Sequence, residues 1–591
     1  METTVWDLSR IYPSEEAFEE DLALLKKKSA EMGGYKGLLK EESKLKQYLS
    51  LEREVNDLLE HLYMFAGMRS DRDKKNVAFT EAESKVILAL QDLNSKTSFE
   101  SPELIALGKG HLDCFLQRNP EFNDFSFIFE KLFHGQKYIL SQQEEKLLSC
   151  FSPILGEGGE LYSKLSVGDY CPQEAKLSDG RLVLVSSANW TDLIGKEKKA
   201  EDRQAIFEAL YHQFDSHKNT YGEIYNLTVQ SQLAEMKARG YSSILQEHLS
   251  QNAIPESVFL NLVDVASTHA EPLHKYYRIR KKALGLEHHR SYDRFLPLAK
   301  SEKKYTYEQA KELFFASISS FPKDFRDKAH EVLKDGYVDV YPKEGKRSGA
   351  YSNGGSNVHP YILLNFLGNL EDVFTLAHES GHSIHTLYSE ENQPPLKQGY
   401  AIFVAEIAST FNEHNLLDYL LSSDLLGKED KIALLQKAID QIVSTFYRQT
   451  LFGEFEFEIS KLAEQGMPIN HDVLSKKMIE LYKTYYGIDI EEEKVKPLVW
   501  AYIPHLFYTP FYVYQYATSF TSSMLIYEKV KKGEPHAFEN YIKMLSSGGS
   551  DWPIEEVKLG GVDLTTKEPF LSVTNRMEEL VDSLEKLLEE K

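Results

Sequence analysis

Cysteine is scarce in this sequence. Only Cys114, Cys150 and Cys171 occur among 591 residues, and no two of them form a CxxC pair. So few cysteines, without a CxxC pair, indicate reduced thiols rather than a disulfide framework. An odd, sparse set of thiols is typical of a reducing compartment, so we expect a cytoplasmic protein.

Long hydrophobic runs are also missing. No stretch of about 18 apolar residues occurs, so no helix is expected to span a membrane. The first residues, METTVWDLSR, lack the basic and apolar regions of a signal peptide. Glycine and proline, at 33 and 20 residues, are too few for a fibrous or disordered chain.

Positive charge is in deficit. The chain carries 91 acidic and 68 basic residues, which gives a net charge of −23. Nucleic acids and anionic membranes need a basic face, so neither is expected as a partner. Apolar residues make up 42% of the chain and aromatic residues 12%, which is enough for a large core.

Helical periodicity dominates what is present. One helix is predicted to begin after Ser14, with Phe18, Leu22 and Leu25 on one face and acids preceding lysines. We therefore predict a mainly α fold. Its division is predicted to be a helical N-terminal half, 1–195, and a larger catalytic half, 196–591.

Strand signals are few. RLVLVS (181–186) is one, and Tyr337–Tyr341 and Tyr361–Phe366 flank a loop rich in glycine and serine. They predict a small antiparallel sheet directly before the histidine segment described next. An extended peptide could add to the edge offered by Tyr361 and its neighbours, and loop glycines such as Gly349 could let the loop close over it.

Three histidines and a glutamate crowd into the segment TLAHESGHSIHTLYS, 375–389. His378, Glu379 and His382 form an HExxH pattern. On a helix the two histidines share a face with Cβ atoms about 5–6 Å apart, so both rings can bind one Zn²⁺ ion. Glu379 is then placed to act as a base on a water molecule.

The motif alone is not decisive, because random placement gives on the order of 0.1 such matches per chain. Apolar flanks predict that the segment is a buried helix. Gly381 inside it costs roughly 1 kcal/mol relative to alanine, which predicts close approach by another segment. The alternative is a pair of hydrogen-bonded core histidines. His385 lies about 10 Å further along the axis, so we expect a structural or supporting role for it.

A catalytic zinc site usually has three protein ligands and one open position. Glu406, within an apolar run in GYAIFVAEIASTFNEHN, is the candidate third ligand, since a buried carboxylate needs a partner. A buried ion pair is the alternative. Glu413, seven residues later on the same face, could hold a ligand in place or face solvent.

A second polar cluster lies late in the chain, in IPHLFYTPFYVYQYATSF. Thr509 and Pro510 predict a helix start, which would put Tyr512 and Tyr516 on one ridge. His505 and Tyr508 precede it. Alone, the cluster indicates an aromatic core stripe; beside a zinc helix, its donors could stabilise an oxyanion.

HESGH followed by AEIASTFNE resembles the thimet-type M3 metallopeptidases, most closely oligoendopeptidase F. WDLSRIYPS, GKRSGAYS, PYILLNF, the late aromatic segment and GGVDL are also similar, so the resemblance spans essentially the whole chain. It implies a multi-helical body with a deep substrate channel, one zinc ion and cleavage of short peptides. Ser380 departs from the family's usual bulkier residue, at a position that is neither ligand nor base.

The resemblance also implies roles for individual residues. His378, His382 and Glu406 would be the zinc ligands and Glu379 the catalytic base. The substrate and transition-state set would be His505, Tyr512 and Tyr516, of which we choose Tyr512, assisted by His505 or Tyr516, as the oxyanion donor. Tyr508, in the loop before Tyr512, is a further candidate for substrate binding. The predicted function is a zinc-dependent endopeptidase acting on unfolded oligopeptides. The alternatives are an HExxH exopeptidase and a non-catalytic helical peptide-binding protein.

Overall fold

The computed structural model describes residues 4–299, 303–356 and 358–590. The chain forms two compact units, each built from three separated stretches. Unit 1 consists of Met1–Lys137, Glu302–Ser422 and Ile526–Val562, and unit 2 of Tyr138–Ser301, Ser423–Leu525 and Asp563–Lys591. The sequence predicts instead two continuous stretches that meet near residue 195.

Unit 1 is mainly helical, and its longest helix, Glu42–Arg72, comes from the N-terminal stretch. Its α-helices are Glu15–Gly33, Glu42–Arg72, Val77–Thr97, Glu100–Leu107, Lys109–Arg118, Ser126–His134, Tyr307–Ser317, Lys323–Val332, Leu370–Asn392, Ile402–Ser422, Ala537–Leu545 and Pro553–Leu559.

Unit 2 is also mainly helical. Its α-helices are Gln142–Ser149, Ser152–Leu155, Glu157–Ser163, Trp190–Lys196, Ala200–Ser216, Lys218–Arg239, Ile244–Ser250, Glu256–Thr268, Glu271–Ala283, Lys428–Ile442, Arg448–Glu464, His471–Tyr486, Val499–Tyr502, His505–Tyr508, the part of Tyr514–Lys531 that ends at Leu525, and Glu568–Glu589. Among the helices described in either unit, none is long and apolar enough to cross a bilayer.

The described residues also contain five strands. In unit 2, β1 (Gln173–Lys176) and β2 (Leu182–Val185) pair as an antiparallel hairpin. In unit 1, β3 (Val338–Asp339), β4 (Tyr351–Gly355) and β5 (Val358–Leu363) form one sheet in the order β3-β5-β4. The predicted fold class, mainly α with a small sheet beside the histidine helix, is confirmed.

The sheet differs from the prediction in two respects. β5 pairs antiparallel with β4 but parallel with β3, so the sheet is mixed. β5, which includes Tyr361, is the central strand and offers no free edge, so the predicted peptide-binding edge is wrong for this strand. The reason is a non-local pairing: β3 covers the side of β5 that the local sequence leaves open.

The N-terminal helix forms as predicted. It spans Glu15–Gly33, and the Ser14 side chain caps it by accepting from the Ala17 amide. Phe18, Leu22 and Leu25 are almost fully buried, as their spacing on one face requires.

The chain before this helix is anchored to the sheet of unit 1. The Trp6 indole donates to the carbonyl of Ile362 in β5 at 2.8 Å, 356 residues away. Its ring lies edge-on to Tyr361 and is only 3% exposed. The indole therefore donates a hydrogen bond to a buried carbonyl, and loss of this donor would lower stability.

We predict that Trp6→Phe destabilises unit 1 by about 1–3 kcal/mol, since the Ile362 carbonyl loses its buried donor. The measurement is the midpoint of urea unfolding followed by circular dichroism. Val5→Ala is the matched control, because Val5 is 43% exposed and should change stability by less than about 0.5 kcal/mol. Equal midpoints for both variants would contradict the anchoring role.

Candidate metal centre

The HExxH motif lies in the middle of the helix Leu370–Asn392, here called the HExxH helix. Asn369 starts the helix, since its side chain accepts from the Asp372 amide while Asp372 bonds back to the Asn369 amide. This capping box satisfies amides that the helix itself leaves unpaired. His378 and His382 then follow on one face, as the spacing predicts.

The helix Ile402–Ser422, here called the Glu406 helix, packs directly against the HExxH helix. Contact is closest at Gly381, where an added Cβ atom would lie 2.5 Å from the Ala408 carbonyl oxygen and 2.6 Å from Ser409 Cα. Only glycine allows backbones to approach so closely. The close approach predicted from this glycine is confirmed, and it brings Glu406 to the histidines.

Three possible metal-binding atoms meet where the two helices touch. His378 Nε2 lies 3.2 Å from His382 Nε2 and 3.3 Å from Glu406 Oε2, and His382 Nε2 lies 3.5 Å from the same oxygen. Ligands about 2.0–2.1 Å from a tetrahedral zinc ion are about 3.4 Å apart. The three residues therefore fit one zinc ion with a fourth position left over, and the described residues contain no other such group.

Further side chains hold these ligands in position. Glu413 Oε1 accepts from His378 Nδ1 at 2.5 Å, which fixes the tautomer that leaves Nε2 free to bind a metal. Ser409 Oγ donates to Glu406 Oε2 at 2.9 Å. Glu413 is buried and does not face solvent, which removes one of the two alternatives left open by the sequence.

The charge states of two of the three ligands suit a cation. Burial raises the pKa of Glu406, but the hydrogen bond from His378 and the charges of both histidines outweigh it and lower the pKa to about 2. Burial lowers the pKa of His382 to about 4, helped by the charge of His378. A carboxylate and a neutral imidazole are the forms that bind zinc, so Glu406 and His382 are already in the binding form. Burial lowers the pKa of His378, but its hydrogen bonds to Glu406 and Glu413 outweigh burial and raise the pKa well above the usual value. A metal ion at this position would therefore displace the proton from Nε2 of His378.

Glu379 is buried beside the three ligand atoms, at 6% exposure. Its Oε2 atom has no hydrogen-bond partner, while the Ser352 backbone in β4 provides a hydrogen bond. Burial raises the pKa of Glu379 to about 7, with the nearby His378 opposing the shift. A buried carboxylate oxygen without a partner is expensive unless it has a chemical use.

The third histidine of the segment is placed differently. His385 is buried and stacks on Tyr400, with ring centroids 3.7 Å apart, and it is not part of the ligand group. Ser380 donates to the Leu376 carbonyl within the helix. Neither side chain reaches the three ligand atoms.

Two candidate substrate residues lie near the sheet of unit 1. Tyr361 is buried at 1% exposure, and its hydroxyl donates to the Asp7 carbonyl, so its side chain is used internally. Gly349 adopts a positive φ of 82°, and its carbonyl accepts from Asn365 Nδ2. The loop conformation thus needs glycine at this position.

The late aromatic cluster belongs to unit 2. The His505 and Tyr512 rings are nearly parallel with centroids 6.1 Å apart, and Tyr512 meets Tyr516 edge-on at 5.5 Å. Burial and the charge of Arg448 lower the pKa of His505. Tyr508, 47% exposed, packs against Tyr162 instead.

The helix predicted to begin at Thr509 and Pro510 begins at Tyr514, so that prediction is wrong. Phe511 has a positive φ of 54°, which no helix accommodates. Its amide donates to the buried carboxylate Glu456 at 2.8 Å. This contact from a distant helix outweighs the local capping signal, and Tyr512 lies in a turn rather than on the helix.

Sequence reasoning missed three supporting residues: Ser352, Ser409 and Asn412. Asn412 Nδ2 donates to the Ala377 carbonyl at 3.1 Å and so ties the two helices together beside the motif. Asn412 follows Glu406 by six residues within an apolar run, and a polar side chain at such a position could have indicated a buried hydrogen bond. Ser352 carries no such signal, because its contact depends on the sheet.

Comparison with known proteins decides the family. The model of peptidase family M3 matches residues 193–576, and the model described as oligopeptidase F matches residues 103–170. The chain belongs to peptidase family M3. The family resemblance and the predicted enzyme class, a metalloendopeptidase, are thereby confirmed.

Individual relatives agree over the full length. Oligopeptidase PepF of Bacillus subtilis is 34% identical over 99% of this chain and 87% of its own. Among solved structures, a Chlamydophila abortus protein assigned as a peptidase superposes with a TM-score of 0.89 at 32% identity over 99% and 98% of the two chains. Oligoendopeptidase-F of Enterococcus faecium gives a TM-score of 0.74 at 25% identity over 98% and 100%.

We predict that Gly381→Ala lowers both stability and metal affinity. The new methyl group would overlap the backbone at Ala408, and overpacking of this kind costs about 1–3 kcal/mol. Gly67→Ala is the matched control, since that helical glycine has open space around it and alanine should stabilise it by up to about 1 kcal/mol. Melting temperatures and metal titrations measure these effects. We expect the melting temperature to fall for Gly381→Ala and to rise for Gly67→Ala. A change in the same direction for both variants would contradict the account.

The second prediction separates the two carboxylates. Glu406→Ala should abolish stoichiometric zinc binding, since it removes a ligand. Glu413→Gln should retain zinc with an affinity about 10–100-fold weaker, as removing a ligand's hydrogen-bond partner typically does. Competition with a chromogenic chelator measures both. Weaker binding in the Glu413 variant than in the Glu406 variant would mean that the wrong carboxylate was chosen.

Proposed function

We propose that this enzyme is a zinc-dependent endopeptidase that hydrolyses internal bonds of short, unfolded oligopeptides. The proposal is carried by one observation: three ligand atoms with the mutual spacing of a tetrahedral zinc site lie beside a buried glutamate that has an unpaired oxygen. His378, His382 and Glu406 would hold the ion, and Glu379 would be the general base.

Zinc, when bound, would supply a Lewis acid that polarises the scissile carbonyl and makes a nearby water more acidic. Glu379 would accept the proton of the attacking water on its unpaired oxygen and later return it to the leaving amine. Burial raises the pKa of Glu379 to about 7, and a bound cation would lower it and so favour the carboxylate form that accepts a proton near neutral pH. The Ser352 contact keeps the carboxylate in one orientation.

Tyr512 and His505 are proposed as donors to the oxyanion, and Tyr516 and Tyr508 as residues that contact the substrate. The sequence resemblance supports the roles of His505, Tyr512 and Tyr516. The mutual packing of His505, Tyr512 and Tyr516 within unit 2 keeps their polar groups close together. Loss of one oxyanion donor typically lowers the rate about 10²–10³-fold.

We propose that the substrate adds to β4 rather than to β5. β4 lies at the end of the sheet order, and Ser352 in this strand contacts both Glu379 and Ser383 of the HExxH helix. A peptide paired with β4 through backbone hydrogen bonds would therefore lie beside the base. Backbone pairing of this kind would give a loose sequence preference, and Gly349 precedes this strand in the loop.

The exopeptidase alternative makes a distinct prediction. An endopeptidase cuts a peptide blocked at both ends, whereas an exopeptidase needs a free terminus. We expect cleavage of end-blocked peptides of roughly 5–20 residues and negligible cleavage of a folded domain, whose radius of gyration is about 13 Å for 100 residues. Chromatography and mass spectrometry of the products identify the bond cut. Cleavage only of unblocked peptides would establish the exopeptidase.

The base is tested by Glu379→Gln, which keeps shape but removes the proton acceptor. We predict that kcat falls by at least about 10³-fold, within the range of general acid–base effects combined with loss of water activation, with zinc content unchanged. Glu390→Gln is the matched control: burial also raises the pKa of Glu390 to about 7, but it lies about 12 Å along the helix from His382.

Metal analysis of the same proteins addresses the non-catalytic alternative, which predicts no stoichiometric zinc in the wild type. Zinc loss from the Glu379 variant would instead make Glu379 a ligand. We also propose a cytoplasmic location, since all three cysteines are exposed and free, a state that a reducing compartment preserves.

A further inference from the structure

Unit 2 contains a cavity of about 50 Å³ that belongs to none of the groups described so far. A water molecule needs about 10–15 Å³ by the same measure, so the cavity has room for a small ion with some hydration. Three cationic side chains line it: Arg294, Arg448 and Lys496. The other lining residues are aromatic, aliphatic or hydroxyl-bearing, and none of those described is a carboxylate.

The three cations come from different elements. Arg294 lies in the short helix Ser291–Phe295, Arg448 begins the helix Arg448–Glu464, and Lys496 begins the turn Lys496–Leu498. No local sequence pattern brings these residues together, because the three elements are far apart along the chain. The fold therefore assembles this group from distant parts of unit 2.

These side chains contact aromatic faces rather than anions. Lys496 Nζ lies 4.9 Å from the centroid of Tyr482, and the guanidinium carbons of Arg448 and Arg294 lie 5.0 and 4.7 Å from Phe452 and Phe295. Within the described ranges, no acidic side chain forms an ion pair with any of the three, and no acceptor takes a hydrogen bond from them.

The two nearest acids are engaged elsewhere. Asp440 accepts hydrogen bonds from Tyr276 and Gln436. Glu493 accepts from the amide and the hydroxyl of Ser291. Neither lines the cavity, so their charges offset the cations only at a distance.

The energetics call for a negative ligand. Burial lowers the pKa of Lys496 to about 7; Glu493 opposes this shift, and the charges of Arg294 and Arg448 add to it. The three cations are only partly exposed, and like charges that share a cavity without a protein acceptor are unfavourable. The Tyr486 hydroxyl, which also lines the cavity, is buried without a hydrogen-bond partner and is available as a further donor.

We propose that this cavity binds one small inorganic anion, such as chloride or phosphate, between Arg294, Arg448 and Lys496, with the Tyr486 hydroxyl as an additional donor. Guanidinium groups suit oxyanions through paired N–H donors. The positive charges of the three side chains would also attract a halide ion. The bound anion would offset the positive charge that lines the cavity. Its binding would not depend on the metal centre.

The test is anion-dependent thermal stability of the full-length metal-loaded enzyme at constant ionic strength. Sodium chloride, phosphate or acetate replaces sodium gluconate, whose anion is too large for the cavity. We expect the melting temperature of the wild type to rise saturably with chloride or phosphate relative to gluconate, because a ligand that binds only the folded state stabilises it.

Variants locate the effect. Lys496→Met and Arg448→Met should lose most of the anion-dependent shift, and Tyr486→Phe should weaken the apparent affinity about five- to tenfold, the value of one hydrogen bond. Lys476→Met is the matched control: Lys476 is exposed on the helix that carries Tyr482 and should respond like the wild type. Because Lys496→Met removes a partly buried cation that repels Arg294 and Arg448 and forms no direct ion pair, it should fold and melt no lower than the wild type in gluconate.

Three outcomes overturn the proposal. One is a wild type that responds identically to every salt. Another is an equal anion response in the wild type and in the cavity variants, which would place the ion elsewhere, including at the metal. The third is a response to acetate alone, which would assign the cavity to a carboxylate instead of an inorganic anion.

Discussion

The metal centre depends on one contact, the backbone approach of two helices at Gly381. A single additional carbon atom there would fall 2.5 Å from the Ala408 carbonyl oxygen. Because the helices can meet, Glu406 reaches the two histidines, Ser409 can bond to it, and Asn412 can bond back to Ala377. A glycine that weakens one helix by roughly 1 kcal/mol thereby creates the geometry on which the proposed chemistry depends.

The same packing sets the charges. Several acids and two histidines within a few ångströms would be unfavourable in an apolar interior, yet here each has a defined use. Glu413 holds His378, Glu406 faces both rings, and Glu379 keeps one oxygen unpaired. The arrangement is complementary to a divalent cation and a water molecule. Without such a cation, burying these charged side chains together would lower stability.

Sequence patterns indicate the residues of this candidate centre because their signals are local. A spacing of four residues puts the two histidines on one face of a helix. Glu406 is a charged residue within an apolar run, which indicates a buried carboxylate that needs a partner. A glycine in the middle of the helix indicates where another helix packs closely. Ser14 likewise predicts its helix correctly. The failures are non-local: β3 pairs with β5 and makes it central, and Glu456 captures the Phe511 amide and delays the helix to Tyr514. The three-stretch composition of each unit has no local signature either.

The central claim is that His378, His382 and Glu406 together bind one zinc ion and leave a position for water. X-ray absorption at the zinc edge of the purified enzyme tests it most directly. The account predicts a four-coordinate shell of nitrogen and oxygen at about 2.0–2.2 Å, with the outer-shell scattering of two imidazoles. A shell containing sulfur, a six-coordinate oxygen shell or scattering from only one imidazole would contradict it.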